Sequence, residues 1–183
     1  MTPDHPSAGA PMERAALLSV DGRYRYWLTR RWAPGPPVTF VMLNPSTADD
    51  TTDDPTIRRC IGFTRRWGYG ALRVVNLYAY RTTHPTELAT VTDPVGPDND
   101  HWLTTTATTA HTFAAPIIAA WGAHPMATHR ANTVLALPGM HRLQALGRTR
   151  TGAPHHPLYL PTTATTQPWP PGRPSRVTTA VTR

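Results

Sequence analysis

The residues able to do chemistry in this chain stand where apolar runs stop. Val38-Thr39-Phe40-Val41-Met42-Leu43 breaks at Asn44-Pro45-Ser46 into a polar loop carrying Asp49, Asp50, Asp53 and Asp54. The run Leu72 to Leu77 contains Asn76, and Tyr78 follows it. A third run, Ile117 to Ala120, ends at Trp121-Gly122, and a basic, Gly-punctuated loop from Gly147 to Pro161 carries Arg148, Arg150, His155 and His156. The loop aspartates can accept a proton. An asparagine closing an apolar run is costly unless its amide is satisfied. Asn76 therefore either bonds a neighbouring loop or offers its donor–acceptor pair to a planar ligand edge, the geometry that reads a nucleobase. The two histidines either brace their loop or meet a ligand. A metal site there is poorly supported, because nothing nearby offers a dedicated third ligand.

Positioning these groups calls for strands that end in loops. The run from Val38 has the pattern of a strand buried on both faces. After the loop, Asp54 and Pro55 read as N-cap and first residue of a helix reaching Trp67. Ile57, Cys60, Ile61, Thr64 and Trp67 share one face of that helix, and Arg58, Arg59, Arg65 and Arg66 share the other. The arginine face is either simply solvated or turned toward phosphate. Asp54 likewise has two readings, as a helix cap or as a carboxylate of the site.

Before the first buried run, Ala16 to Val20 and Tyr24 to Leu28 read as a hairpin around Asp21-Gly22, covering a sheet edge. Later come a helix from His101 to about Phe113, a strand at Ala115 to Gly122, a helix at Thr128 to Leu137 and a strand at His141 to Leu146. Four buried strands alternating with helices predict an α/β fold of three layers, α/β/α, with a central, mostly parallel sheet. Residues 1–13 read as a flexible N-terminus, 14–161 as one domain, and 162–183 as a flexible basic tail rich in Pro and Thr.

Composition narrows the partners. Across 183 residues, 18 basic against 11 acidic side chains give a net charge of +7, all the basic ones being arginine. Arginine suits bidentate phosphate contacts, so a polyanion is favoured, although a GC-rich coding sequence would also replace lysine. The single cysteine, Cys60, excludes a disulfide framework, a four-cysteine zinc site and a four-cysteine iron–sulfur cluster. Its place on the apolar helix face predicts a core residue. No signal peptide or membrane span is visible, so a cytoplasmic monomer with no membrane partner is expected. The absence of a Gly-rich phosphate loop argues against a kinase or dinucleotide enzyme.

The segments MLNPSTADDTTDDPTIRRC, VVNLYAYRTTHPTEL, VGPDND, IIAAWG and GRTRTGAPHHPLYLP, spanning about residues 38 to 161, resemble a bacterial and phage family known mainly as a domain of unknown function. More distantly, their order resembles the uracil-DNA glycosylase superfamily. Met42-Leu43-Asn44-Pro45-Ser46 is similar to the Gly-Ile-Asn-Pro-Gly motif of the mismatch-specific and thymine-DNA glycosylase branch. Val74-Val75-Asn76 is similar to the strand whose terminal Asn reads the flipped base, and His156-Pro157-Leu158 to the His-Pro-Ser-Pro loop. The departures are Met42 and Leu43 for smaller residues, Ser46 for glycine, and Leu158-Tyr159 for Ser-Pro. No aromatic residue follows the first motif. These changes point away from uracil and toward a larger, modified base.

The resemblance implies a DNA glycosylase that flips and excises such a base from double-stranded DNA by N-glycosidic hydrolysis, without a cofactor, metal or iron–sulfur cluster. Asn44 would orient water, Asp49, Asp50 or Asp54 would take the proton or stabilise the sugar cation, and His156 would stabilise the departing base. Asn76, with Pro45, Ser46, Tyr78 and His155, would surround the base. Arg58, Arg59, Arg148 and Arg150 would hold phosphates, and Leu158, Tyr159 or Leu160 would fill the vacated stack. A bacterial and phage distribution suggests defence against phage DNA carrying hypermodified pyrimidines such as glucosylated hydroxymethylcytosine. Two other readings stay open: an N-glycosidase of free nucleosides or nucleotides, and a non-catalytic reader of modified DNA.

Overall fold

Val38, Phe40 and Val41 have no solvent exposure, which a strand achieves only with both of its faces covered. The computed structural model, which describes residues 11–46 and 52–170, places this strand, β3 (Pro37–Met42), inside one mixed sheet. Its companions are β1 (Glu13–Leu18), β2 (Arg25–Arg31), β4 (Ala71–Asn76), β5 (Ile117–Ala119), β6 (Leu143–Ala145) and β7 (Gln167–Trp169), in the order β1-β2-β4-β3-β5-β6-β7. β4, β3, β5 and β6 run parallel, and β1, β2 and β7 extend the edges in antiparallel fashion.

Strand alternation sorts the core into two layers. Val38, Phe40 and Met42 pack with Leu72, Val74 and Ile118 against Ile57, Cys60, Ile61 and Phe63 of helix α1 (Pro55–Arg66). Val41 packs with Val75, Ile117 and Ala119 against α2 (Asn99–Thr112) and α3 (Pro125–Leu135), through Leu103, Ala107, Ala131 and Val134. Each fully buried aliphatic side chain contributes about 1.5–3 kcal/mol. The result is the three-layer α/β/α architecture expected from the alternation of elements.

The start of α1 follows the capping chemistry. Asp54 accepts a hydrogen bond from the Ile57 amide at 2.8 Å, and Pro55 occupies the first turn. Helix α3 begins three residues earlier than Thr128, because His124 caps it through Nδ1 and Pro125 opens it. The expected flexible tail also gives way at its start: Gln167–Trp169 pairs with β6, and the Trp169 ring meets Trp121 edge-on, with centroids 4.9 Å apart. Strand pairing and this indole contact together hold a segment that otherwise has the composition of a loop. At the other end, Glu13 already belongs to β1. Among the described residues no helix is long and apolar enough to cross a membrane.

Chain direction sets where a ligand fits. From β3 the chain passes through α1 to β4 on one side, then through α2 to β5 on the other. The carboxyl ends of β3 and β5 therefore diverge into a topological switch point, the crevice that open α/β sheets use for ligands.

Candidate functional site

A cavity of about 470 Å³ occupies that crevice. Met42, Leu43, Asn44 and Ser46 reach it from the end of β3, Asn76 from β4, Trp121 and Gly122 from the end of β5, and His156 from the basic loop. Gly122 has φ +75°, a left-handed turn that glycine adopts without strain, and a Cβ there would lie 3.5 Å from that of His156. Asn44 donates through Nδ2 to the carbonyls of Pro45 (3.1 Å) and Thr82 (2.8 Å). With both donors engaged, Oδ1 is its remaining hydrogen-bonding atom. The Thr82 amide returns a bond to the Pro45 carbonyl at 3.0 Å, fastening the loops after β3 and β4 together.

Asn76 is 2% exposed, and its Nδ2 is buried with no hydrogen-bond partner. Such an orphaned donor costs about 1–3 kcal/mol. It persists because the backbone around it is held firmly. Asn99 donates through Nδ2 to the carbonyls of Asn76 (3.1 Å) and Leu77 (3.0 Å), and Arg130 donates through Nε to Leu77 at 2.8 Å. Asp100 in turn pairs with the Arg130 guanidinium.

His156 accepts through Nδ1 from the Leu158 amide at 3.3 Å, capping a one-turn 3-10 helix at Pro157–Tyr159. That bond leaves the proton of the neutral ring on Nε2, as a donor. Burial lowers the His156 pKa below its ordinary value, and the Asp54 carboxylate partly opposes the shift. Asp54 has both oxygens occupied, one by the Ile57 amide and the other by the Ser46 hydroxyl at 3.2 Å. Because the folded pKa of His156 is depressed, the stability tied to the neutral ring is fully present above pH ~6.5 and is lost as pH falls below it. An imidazole NMR titration should therefore give His156 a midpoint on the acid side of a free histidine. A midpoint above 6.5 would mean that Asp54, not burial, governs the ring.

The other sequence candidates divide. Asp49 and Asp50 lie outside the described residues. Pro45 is buried and serves through its carbonyl. Tyr78 lies away from the cavity: it is buried in the α2/α3 layer, and its hydroxyl donates to the Met126 carbonyl at 2.8 Å. His155 also lies outside the cavity lining, with its amide bonded to the Gly147 carbonyl. Arg59 donates to the Leu160 carbonyl and lies over the Phe63 ring at 5.5 Å, bolting the His156 loop to α1. Arg58 is exposed and donates to the Asp53 carbonyl. Arg150 is exposed, and Arg148 is half-buried and pairs with Pro154 in an isolated antiparallel bridge. Tyr159 lines the cavity while 80% exposed, and Leu158 beside it is 37% exposed. Cys60 is fully buried in the core, and burial pushes its thiol pKa up.

Three contributors escaped the sequence reading. Arg25 of β2 is buried and lines the cavity. Thr82 anchors Asn44. Arg30, with no exposure, holds Asp53 at 2.7 Å, next to the α1 cap.

Fold and cavity together define a doubly wound α/β protein with a cavity at its switch point, where Asn44, Asn76 and His156 meet. Residues 25–158 match the family described as "Protein of unknown function (DUF1643)", and the chain belongs to that family. No curated protein and no solved structure matches it.

Proposed function

We propose that the switch-point cavity receives a modified base flipped out of double-stranded DNA, and that the protein is a DNA glycosylase. The observation that carries this reading is Asn76, a cavity-lining residue whose buried Nδ2 has no partner. A buried donor without a partner is complemented by an acceptor on the ligand, and base edges carry ring nitrogens and carbonyls of that kind. The volume of about 470 Å³ lies within the range of small-molecule ligand pockets. The resemblance of the Asn44, Asn76 and His156 segments to the uracil-DNA glycosylase superfamily supports the same reaction.

In this scheme the bond between the base nitrogen and sugar C1′ breaks, and its electron pair leaves with the base. His156 donates through Nε2–H to the base as negative charge develops. Water, held by Oδ1 of Asn44, bonds to C1′ of the oxocarbenium-like sugar. Asp54, electrostatically coupled to His156, contributes negative charge near the sugar cation, and a carboxylate of the Asp49–Asp50 loop takes the water proton. Tyr159 and Leu158, exposed beside the cavity mouth, enter the vacated stack. The net charge of +7 draws the duplex in.

The test is base release from duplexes containing T, U, 5-hydroxymethylcytosine or its glucosylated form, with alkaline cleavage at the resulting abasic sites. Release from one modified substrate, reduced at least ~100-fold in Asn44→Ala, is expected. Tight, salt-dependent binding without cleavage would replace the glycosylase by a reader of modified DNA. Release from nucleosides alone would make it a nucleoside N-glycosidase.

A further inference from the structure

A larger cavity, about 700 Å³, lies at the opposite end of the same sheet, where β3 and β4 begin. Its walls come from β1, β2, β4 and the last turns of α2, and two of its residues, Arg31 and Arg73, are guanidinium bearers on neighbouring strands. In the antiparallel pairing of β2 with β4, Thr29 faces Arg73 and Arg31 faces Ala71. Strand alternation therefore puts both arginines on one face of the sheet.

Arg73 is the anomaly. It is half-buried, its guanidinium lies over the Trp27 ring at 5.3 Å, and it makes no hydrogen bond or ion pair among the described residues. Its Nε is fully buried without a partner. Burial, and secondarily the like charge of Arg31, pulls its pKa down. Arg31 gives Nη1 to the carbonyls of Ala33 (3.3 Å) and Gly35 (2.8 Å), and its Nε stands 3.9 Å from Glu13. That Glu13 side chain is 78% exposed, so solvent screens its charge. Of the four arginines lining this pocket, Arg14 and Arg30 share Asp53 as their carboxylate, whereas Arg31 has only the distant, hydrated Glu13 and Arg73 has none among the described residues. Phe113, 60% exposed, completes the wall with an aromatic face.

We propose that this cavity is a second ligand site, for a small phosphorylated compound of the nucleotide class. The phosphates seat between Arg31 and Arg73, whose planar donor forks match phosphate oxygens. The planar ring lies against Phe113. The volume is far more than a bare anion fills and lies within the range of pockets for drug-sized ligands. The Arg73–Trp27 contact holds the guanidinium in place before the ligand arrives. The assignment is independent of the glycosylase reading, since β4 carries Asn76 at one end and Arg73 near the other.

The experiment is calorimetric titration of the full chain with inorganic phosphate, pyrophosphate, adenosine and ADP. A short unmodified duplex serves as competitor, and melting curves are recorded for each variant. ADP should bind saturably and at least tenfold more tightly than adenosine or phosphate. Arg73→Leu and Arg31→Gln should each weaken ADP tenfold or more, while Asn76→Leu leaves it unchanged. Without ligand, Arg73→Leu should melt at or above the wild-type temperature, because it removes an uncompensated charge. The proposal is overturned by the absence of saturable binding of all four probes at millimolar concentration. ADP binding that survives both arginine substitutions, or displacement of ADP by the duplex, overturns it equally. So does a lower melting temperature for Arg73→Leu, which would make Arg73 a brace for Trp27.

Discussion

Asp53→Ala is expected to destabilise the protein by roughly 3–5 kcal/mol, the range for breaking a buried ion pair from one side. Arg30 has no solvent exposure, and its side chain meets one carboxylate among the described residues, Asp53, at 2.7 Å from Nε. Its Nη1 donates to the Thr29 carbonyl, and Nη2 already lacks a partner. Removing Asp53 would strand a guanidinium in the low-dielectric interior. Arg14, 3.0 Å from the same Asp53 oxygen, is 35% exposed and would turn to water at little cost. At roughly 2–4 °C per kcal/mol for a chain of this size, the melting temperature should fall by on the order of 10 °C. Adding Arg30→Met to Asp53→Ala should restore most of the loss, because an apolar side chain of similar length needs no counter-charge. A loss under about 1 kcal/mol in the single variant would show that water reaches Arg30. The pair also matters locally: Asp53 precedes the Asp54 cap, so β2 holds the entrance of α1 and, through it, one rim of the cavity.

That pair shows what sequence can and cannot disclose. The order of strands and helices was legible because each element carries its own local signal. Apolar runs with polar ends mark the parallel strands, and Asp54-Pro55 marks the start of α1. The gathering of Asn44 and Asn76 was legible for a related reason: polar residues closing apolar runs fall at strand ends, where a doubly wound sheet brings them together, and His156 reaches the same cavity from the loop after β6. Burial of Arg25 and Arg30 was not legible. A charged residue in an edge hairpin looks solvated, and the partner that pays for Arg30's burial lies 23 residues away. Tyr78 and His155 illustrate the opposite error, in which adjacency to true lining residues suggested a shared role. β4 ends at Asn76, so strand alternation no longer carries Tyr78 to the same face, and it turns into the α2/α3 layer instead. β7 was hidden because a three-residue strand held by Trp169 leaves no periodic trace in a Thr- and Pro-rich stretch.

Asn76→Leu is the substitution expected to separate stability from function most sharply. In the ligand-free protein the Asn76 donor is desolvated and unpaired, so an apolar side chain of comparable size should relieve a penalty and raise stability by about 1 kcal/mol. The melting temperature should rise by a few degrees, provided that Asn99 keeps its bonds to the backbone of residues 76 and 77. The proposed base release should meanwhile fall by ~100-fold or more, about 2.7 kcal/mol, because the ligand's acceptor would meet no donor in the cavity. Ordinary structural asparagines behave differently: replacing them removes bonds that the fold already makes, so stability and activity decline together. A fall in melting temperature would therefore assign Asn76 to holding the strand end. A rise together with lost release would identify the unpaired amide as a strain kept for the ligand, since natural folds retain such groups where binding satisfies them. Stability gained with release intact would move base recognition to another part of the cavity lining, with Arg25, buried in the same wall, the next side chain to substitute.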